Sequence, residues 1–397
     1  MAIIFIAHVP WNHWDHFIPA RFGPSDATEL FVFISGFASA YAFGSVFARR
    51  GFGLGLVRLG YRIWQVFWAH NLLFISVFAL MALAESLRAQ GIIAVGFDKD
   101  YLDALNFYPF IADPARGIVD LLSLRYVPNY FDILPMYLVV LAMMPVVVGL
   151  HRLHPLLALA FCLSVWLLAQ SGALWLPAEW WSDRPWYFNP FGWQLIFYSG
   201  FALASGWVRP PPPDRRLVWA CLAGVAVMIP LAPWPTIGLG ELGADLRATF
   251  AWGIEKSNFG LLRWLHFLML AYLTYALTLA VPGLAERRFF RPVVTIGQQS
   301  LAAFLISMFL AQVGGIALDV LGRDDLSYAA VNLLGILTLY GLCCLVAYVK
   351  AAPWIERRGP LPAPQPAAVA APMPQRTDPK PSAQDRADST GGAVYSR

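Results

Sequence analysis

Two acidic residues stand where an apolar helix is predicted to begin, and a histidine lies upstream of them. Asp26 and Glu29 belong to the string FGPSDATELFVFISGF, residues 22–37. Removing a carboxylate from water near a bilayer is costly, so such residues usually cap a helix, pair with a cation or take part in function. Their spacing is that of a capping box. In the functional alternative, one carboxylate orients or tunes His8 in a catalytic site.

His8 closes the first apolar run, IIFIAHVP. Imidazole titrates near neutral pH, so His8 is a candidate general base that would take a proton from an attacking hydroxyl. As a structural residue it would instead bond a neighbouring helix carbonyl. His8, Asp26 and Glu29 are therefore the candidate catalytic residues.

Three possible metal ligands follow within four residues, His13, Asp15 and His16. A zinc site needs about four ligands, and no second ligand cluster accompanies these three. Histidine next to tryptophan is also common at membrane interfaces. We therefore expect no metal site.

The third apolar segment and the loop before it contribute two more candidates. Arg62 could contact a phosphate-bearing donor, because guanidinium groups match phosphate geometry. Arginines in such loops also commonly set membrane topology. His70 lies about two turns deeper, where an imidazole needs a partner.

The second half of the chain adds polar groups near two apolar segments. Arg263 and His266 are three residues apart and share a helix face. That face would hold an anionic acyl group, or Arg263 would pair with Asp132 in a structural bridge. Gln299 and Ser300 open another helix, where they would line a polar cavity or bond between helices.

The composition identifies the class of protein. Of 397 residues, 58% are hydrophobic and 13% are charged, against about 25% charged in ordinary soluble domains. A soluble core cannot absorb that much apolar surface. The formal net charge of +4 is small and does not indicate a nucleic-acid partner. The chain is predicted to be an all-α, polytopic membrane helix bundle.

About ten transmembrane helices are predicted from apolar runs. The segments are 1–9, 28–47, 64–84, 132–150, 155–171, 190–207, 216–232, 263–281, 297–320 and 327–349. Nine residues rise only about 14 Å in a helix, half of what a crossing needs. We therefore expect either a start upstream of Met1 or a stub as the first helix. In the second helix, small residues, among them Ser35, Gly36 and Ser39, predict a closely packed face, set against the first helix.

Alternate loops are rich in arginine, which predicts their side of the membrane. By the positive-inside rule these loops and the C-terminus are cytoplasmic, and the aromatic loops between them face outward. The basic residues are Arg49, Arg50, Arg58, Arg62, Arg152, Arg209, Arg215, Arg216, Arg287, Arg288, Arg291, Lys350, Arg357 and Arg358. We predict a membrane domain over residues 1–350 and a disordered, Pro- and Ala-rich cytoplasmic tail over 351–397.

With these segments in view, the sequence resembles the OpgC-type integral membrane acyltransferases, which are related to the wider acyltransferase-3 class. Two strings are long and specific, SDATELFVFISG and PNYFDILP. The resemblance covers most of the chain up to about residue 350. The matching stretches are His8-Val-Pro, Gly23 to Gly36, Gln65 to His70, Pro128 to Pro135, Leu261 to Phe267 and Gly297 to Leu301.

The resemblance implies an enzyme of the bacterial inner membrane that modifies osmoregulated periplasmic glucans. Succinyl is the expected acyl group, the donor a cytoplasmic acyl-CoA, with succinyl-CoA expected, and the acceptor a sugar hydroxyl outside. In the acyltransferase-3 class the histidine of the first span is taken as catalytic, and it matches His8. That class carries an Arg and an Asp-x-x-Arg-Gly stretch upstream, before the position where this sequence begins.

These expectations give each candidate residue a role. His8 would be the general base or would carry the acyl group briefly, with Asp26 or Glu29 tuning it. Substrate would be bound by Asp132, His70, Arg263, His266, Gln299 and Ser300, and the donor phosphates by Arg62. The competing hypothesis is an exporter of glucan or lipid-linked sugar, although no internal repeat of the kind seen in transporters is evident.

Overall fold

The computed structural model describes residues 1–93, 99–232 and 240–354, and these are mostly helical. One isolated β-bridge, between Pro177 and Pro185, interrupts the helical pattern of this part of the chain. The predicted tail lies almost wholly outside the described residues. The helices are α1 Ala2–His8, α2 Ala27–Ser39, α3 Ser45–Arg50, α4 Phe52–Ala89, α5 Tyr108–Ala112, α6 Pro114–Leu122, α7 Ile133–Leu153, α8 Pro155–Gln170, α9 Pro190–Ala204, α10 Arg215–Met228, α11 Gly240–Thr249, α12 Ala251–Ile254, α13 Leu261–Ala280, α14 Arg291–Gln298, α15 Ser300–Leu321 and α16 Asp325–Ala351.

The all-α membrane bundle predicted from the sequence is confirmed. Six helical segments in the described ranges are long and apolar enough to cross a membrane. The other four predicted segments coincide with α1, α8, α9 and α10, which are shorter, between 7 and 16 residues. The six are Ala27–Arg50, Phe52–Ala89, Ile133–Leu153, Leu261–Ala280, Ser300–Leu321 and Asp325–Ala351.

The third predicted segment, 64–84, is the core of a longer helix. The helix α4 runs over 38 residues, Phe52–Ala89, and so begins twelve residues earlier than the apolar pattern. A helix satisfies its own backbone hydrogen bonds, so it can continue beyond the hydrocarbon while long basic side chains reach toward water. This extension places Arg58 and Arg62 on α4 rather than in a loop.

The second helix packs most closely against α9, not against α1. A Cβ built on Gly36 would lie 1.9 Å from the carbonyl oxygen of Phe197. In the same way, a Cβ on Gly200 of α9 would lie 2.2 Å from the carbonyl oxygen of Phe33. The small-residue face was therefore predicted correctly for Gly36, but its expected partner was wrong. The backbones approach because both helices carry glycine at the crossing.

The short helix α1 is held between α15 and α16. A Cβ on Gly335 of α16 would lie 2.1 Å from the Phe5 ring, and one on Gly315 of α15 would lie 2.6 Å from Pro10. Asn12 and Asn332 also exchange side-chain hydrogen bonds of 2.8 and 2.9 Å. These contacts fix the end of α1 that carries His8.

Candidate functional site

The helix α2 begins with the capping box that its sequence predicts. The Asp26 carboxylate accepts from the Thr28 amide at 2.7 Å, and the Asp26 amide donates to Glu29 Oε2 at 2.7 Å. This satisfies amide groups that the first turn of a helix leaves without partners.

Two cations from the second half of the sequence pair with the two acids of this cap. Lys256 Nζ donates to Asp26 Oδ2 at 2.6 Å, and Arg263 Nε donates to Glu29 Oε1 at 2.7 Å. Arg263 also lies 3.6 Å from Asp26. We call Asp26, Glu29, Lys256 and Arg263 the charge cluster. Its formal charges cancel, so its electrostatic needs are met within the protein.

The ionisation of Asp26 follows from this arrangement. Burial opposes ionisation of the carboxyl group, but Lys256 and Arg263 act against burial and hold the pKa of Asp26 well below its usual range. The alternative pairing of Arg263 with Asp132 is wrong. The Asp132 carboxylate accepts instead from the Tyr187 amide at 2.8 Å.

A buried serine and histidine extend the charge cluster. The Ser25 hydroxyl and His266 Nδ1 lie 2.6 Å apart, and both residues are buried. A Cβ on Gly23 would lie 2.6 Å from the His266 ring. The absence of a side chain at Gly23 therefore makes room for the imidazole beside the start of α2.

His8 lies at the end of α1 and is oriented by its own helix. Its Nδ1 lies 2.7 Å from the carbonyl oxygen of Ile4. A carbonyl can only accept, so Nδ1 carries the proton and Nε2 carries the lone pair of the neutral ring. His8 lies near Lys256 and Asp26 of the charge cluster. The carbonyl of Ile4, rather than Asp26 or Glu29, thus sets the direction of the ring.

A cavity of about 350 Å³ lies along α2 on the side away from α9. The basic residues Arg58 and Arg62 line it, and none of its lining residues is acidic. We call it the arginine cavity. The Arg58 Nε donates to the Ala42 carbonyl at 3.0 Å, and Arg62 donates to Gln65 Oε1 at a long 3.4 Å. The polar groups beside these arginines come from Ser35, Ser39, Tyr61, Gln65, Tyr137 and Ser300.

The helix α2 connects the two regions. Its residues from Phe31 to Ser39 contribute one face of the arginine cavity, which corresponds to about 12 Å along the helix axis. Phe31 is two residues from Glu29 of the charge cluster. The cavity therefore extends from the arginines toward the end of α2 that carries the cluster.

A family model for the OpgC protein matches residues 1–351. The chain belongs to the OpgC family. No curated protein and no solved structure matches it. Membership of this family gives the chain the general role of a glucan-modifying acyltransferase in the membrane.

Of the remaining predicted site residues, two line the arginine cavity and three belong to neither region. Ser300 lines the arginine cavity, as does Arg62. Gln299 is not among the lining residues, and its side chain accepts from Lys350 at 2.7 Å. Asp132 and His70 are buried and take no part in the charge cluster's ion pairs.

His70 is the least satisfied of these side chains. Its exposed fraction is 0%, and neither ring nitrogen has a hydrogen-bond partner among the described residues. Its ring packs against Phe131, with centroids 6.3 Å apart. The sequence predicted that an imidazole at this depth needs a partner, and within the described part of the chain it has an aromatic contact instead.

The residues considered for a metal have other contacts. Asp15 pairs with Arg21, and the rings of His13 and His16 lie 5.1 Å apart. In the ranges that the structure describes, no three His, Cys, Asp or Glu residues are grouped to hold a metal ion.

Sequence reasoning gave no functional role to Ser25 or Arg58. The sequence signal for Ser25 is its position directly before the helix cap Asp26. Arg58 lies one helical turn before Arg62 on α4, and this spacing places the two on one face once the helix is known to begin at Phe52. Without that boundary, both arginines have the appearance of loop residues that set topology.

Proposed function

We propose that this protein transfers an acyl group, with succinyl expected, from cytoplasmic acyl-CoA to hydroxyl groups of a periplasmic glucan. The proposal places the chain in a bacterial inner membrane with its C-terminus in the cytoplasm, in keeping with the arginine-rich loops. One observation carries it. A cavity with two arginines and no acid runs along α2 toward the end where His8 and the charge cluster lie.

The donor would bind through its phosphates. Arg58 and Arg62 offer two guanidinium groups, and planar guanidinium groups bind phosphate oxygens well. Neither arginine has an acidic partner among the residues lining the cavity. Small side chains of α2, such as Ser35 and Ser39, would leave room for the narrow arm that carries the thioester.

His8 would act on the acceptor. Its Nε2 lone pair takes the proton of a glucan hydroxyl while the hydroxyl oxygen attacks the thioester carbonyl. The new C–O bond forms, the C–S bond breaks, and the departing thiolate recovers the proton from His8. A second route, in which His8 carries the acyl group briefly, uses the same lone pair.

The predicted role of Arg263 and His266 is to bind the free carboxylate of a succinyl group. Arg263 is already paired with Glu29 and Asp26, and His266 with Ser25. A succinyl carboxylate would therefore share Lys256 and Arg263 with the acids of the charge cluster. A preference for succinyl over acetyl donors is the observable consequence.

Reconstituted protein tests the proposal directly. Purified protein in liposomes receives acyl-labelled succinyl-CoA on the side of Arg62 and glucan on the other side. We expect label in the glucan, and none with the His8→Ala variant. Transport of unlabelled glucan without any acyl transfer would support the exporter hypothesis and contradict the acyltransferase proposal.

A further inference from the structure

Tyr130 lies beside the candidate base and leaves much of its ring uncovered. The ring centroids of His8 and Tyr130 are 5.8 Å apart at an interplanar angle of 71°, an edge-to-face contact. Tyr130 is 53% exposed. Its hydroxyl makes no hydrogen bond with any residue in 1–93, 99–232 or 240–354. One part of the ring thus contacts His8 while the rest stays open.

The backbone of Tyr130 adopts a conformation that tyrosine rarely takes. Its φ is +73°, in the left-handed region that disfavours bulky side chains. Its neighbours hold this turn, because the Phe131 amide donates to the Pro128 carbonyl at 3.1 Å and Asp132 is fixed by Tyr187. Strain of this kind persists where the surroundings enforce it, and it is concentrated at functional sites.

An ordinary interfacial tyrosine does not need these features. Tyr187 is a useful comparison, since it is 48% exposed and its backbone contacts the same Asp132. Its ring packs against Phe188, with centroids 4.9 Å apart. Tyr187 is not among the residues with positive φ. Exposure alone does not distinguish Tyr130 from Tyr187, but the contact with His8 and the positive φ of Tyr130 do.

We propose that Tyr130 is the acceptor-binding platform, and that a glucosyl unit packs on its open face with a hydroxyl directed at His8. This inference rests on the proposed function. Aromatic faces cover the C–H surface of a sugar ring, and tyrosine provides that surface at a small cost in conformational entropy. Tyr130 is thus assigned to acceptor binding, whereas the donor is assigned to the arginine cavity.

The test measures acyl transfer from succinyl-CoA to purified periplasmic glucan at varied concentrations of each. Tyr130→Leu removes the ring and keeps the bulk, and Leu124, at φ +59°, adopts the same left-handed backbone region. We expect the acceptor KM to rise about 10-fold, with the donor KM unchanged. Tyr130→Phe should keep the wild-type acceptor KM, since the ring remains. Tyr187→Leu keeps the backbone amide that bonds Asp132, so it is the matched control and should leave both constants unchanged.

A second variant without the aromatic ring controls for misfolding of the first. Asparagine adopts positive φ more readily than most residues, so Tyr130→Asn should fold and should raise the acceptor KM as Tyr130→Leu does. A fall in kcat with unchanged acceptor KM in both variants would overturn the assignment, because Tyr130 would then only position His8. If the wild type labels no glucan at all, the proposed function itself fails. Wild-type transfer with unaltered acceptor KM in the variants overturns the assignment of Tyr130 alone.

Discussion

The charge cluster and the arginine cavity lie along the same helix, yet their charges are arranged in opposite ways. In the charge cluster, two acids meet two cations, and Glu29 is fully buried. In the arginine cavity, Arg58 and Arg62 face open space with no acid among the lining residues. The formal charges of the charge cluster balance one another, whereas the cavity has positive charge that only a further anion can neutralise.

This difference distinguishes charges that stabilise the fold from charges that are available to bind a ligand. Breaking a buried ion pair leaves a charge without compensation and destabilises the fold. Removing a cation that has no acidic partner costs the fold little and weakens the binding of an anion. Substitutions in the cluster should therefore change stability first, and substitutions in the cavity should change donor binding first.

The largest expected effect is on stability, from Arg263→Met. This change leaves Glu29 buried without its cation, and we expect a loss of about 3–5 kcal/mol in the free energy of unfolding. Thermal unfolding of the detergent-solubilised protein measures it. Adding Glu29→Gln should restore part of the loss, because the orphaned charge is then removed. A single variant as stable as the wild type would contradict the structural role of the cluster.

The next effect is on donor binding, from Arg58→Gln and Arg62→Gln. Each variant loses a charged hydrogen-bond donor to phosphate, so we expect the donor KM to rise about 10- to 100-fold. The melting temperature should stay near that of the wild type. Arg49→Gln is the matched control, since Arg49 lies on α3 and does not line the cavity. Equal effects of all three changes would argue against a donor site in the cavity.

A smaller effect concerns pH and the ion pair of Asp26 with Lys256. Because the pKa of Asp26 is depressed in the folded protein, its stabilising contribution is present above the pKa of the unfolded chain, near 4. That contribution is lost as the pH falls through the folded pKa. Lys256→Met should lower neutral-pH stability by about 1–2 kcal/mol and flatten the loss on acidification. Melting curves between pH 7 and pH 2 test this, and identical pH profiles would contradict it.

The smallest effect is expected from Ser25→Ala. It removes the hydrogen bond to His266 and should cost about 1 kcal/mol of stability. Ser300→Ala, in the arginine cavity, is the comparison and should leave the melting temperature unchanged. If Ser300→Ala destabilised the protein as much as Ser25→Ala, the contrast between the two regions would lose its basis.

The sequence predicted what depends on local spacing. The cap formed by Asp26 and Glu29 was predictable because a capping box spans only four residues. The pairing of Glu29 with Arg263 was not, since those residues are 234 positions apart and single-sequence patterns carry no such distance information. Which cation pairs with Glu29 depends on how α13 packs beside α2.

Boundaries explain other differences between prediction and structure. Arg58 and Arg62 could not be assigned to one cavity while α4 was expected to begin at residue 64. The ring direction of His8 follows from a carbonyl one turn earlier in its own helix, whereas the structural alternative expected a carbonyl of a neighbouring helix. Tyr130 was passed over because its importance comes from a backbone conformation, and residue type alone does not reveal that.

We propose that His8 performs acyl transfer to a glucan. Mass spectrometry of glucan extracted from cells that express either the wild type or His8→Ala is the decisive experiment. We expect acyl mass additions, expected to be succinyl, with the wild type, and unmodified glucan with the variant at equal protein levels. Normal acylation with His8→Ala would refute this role of His8.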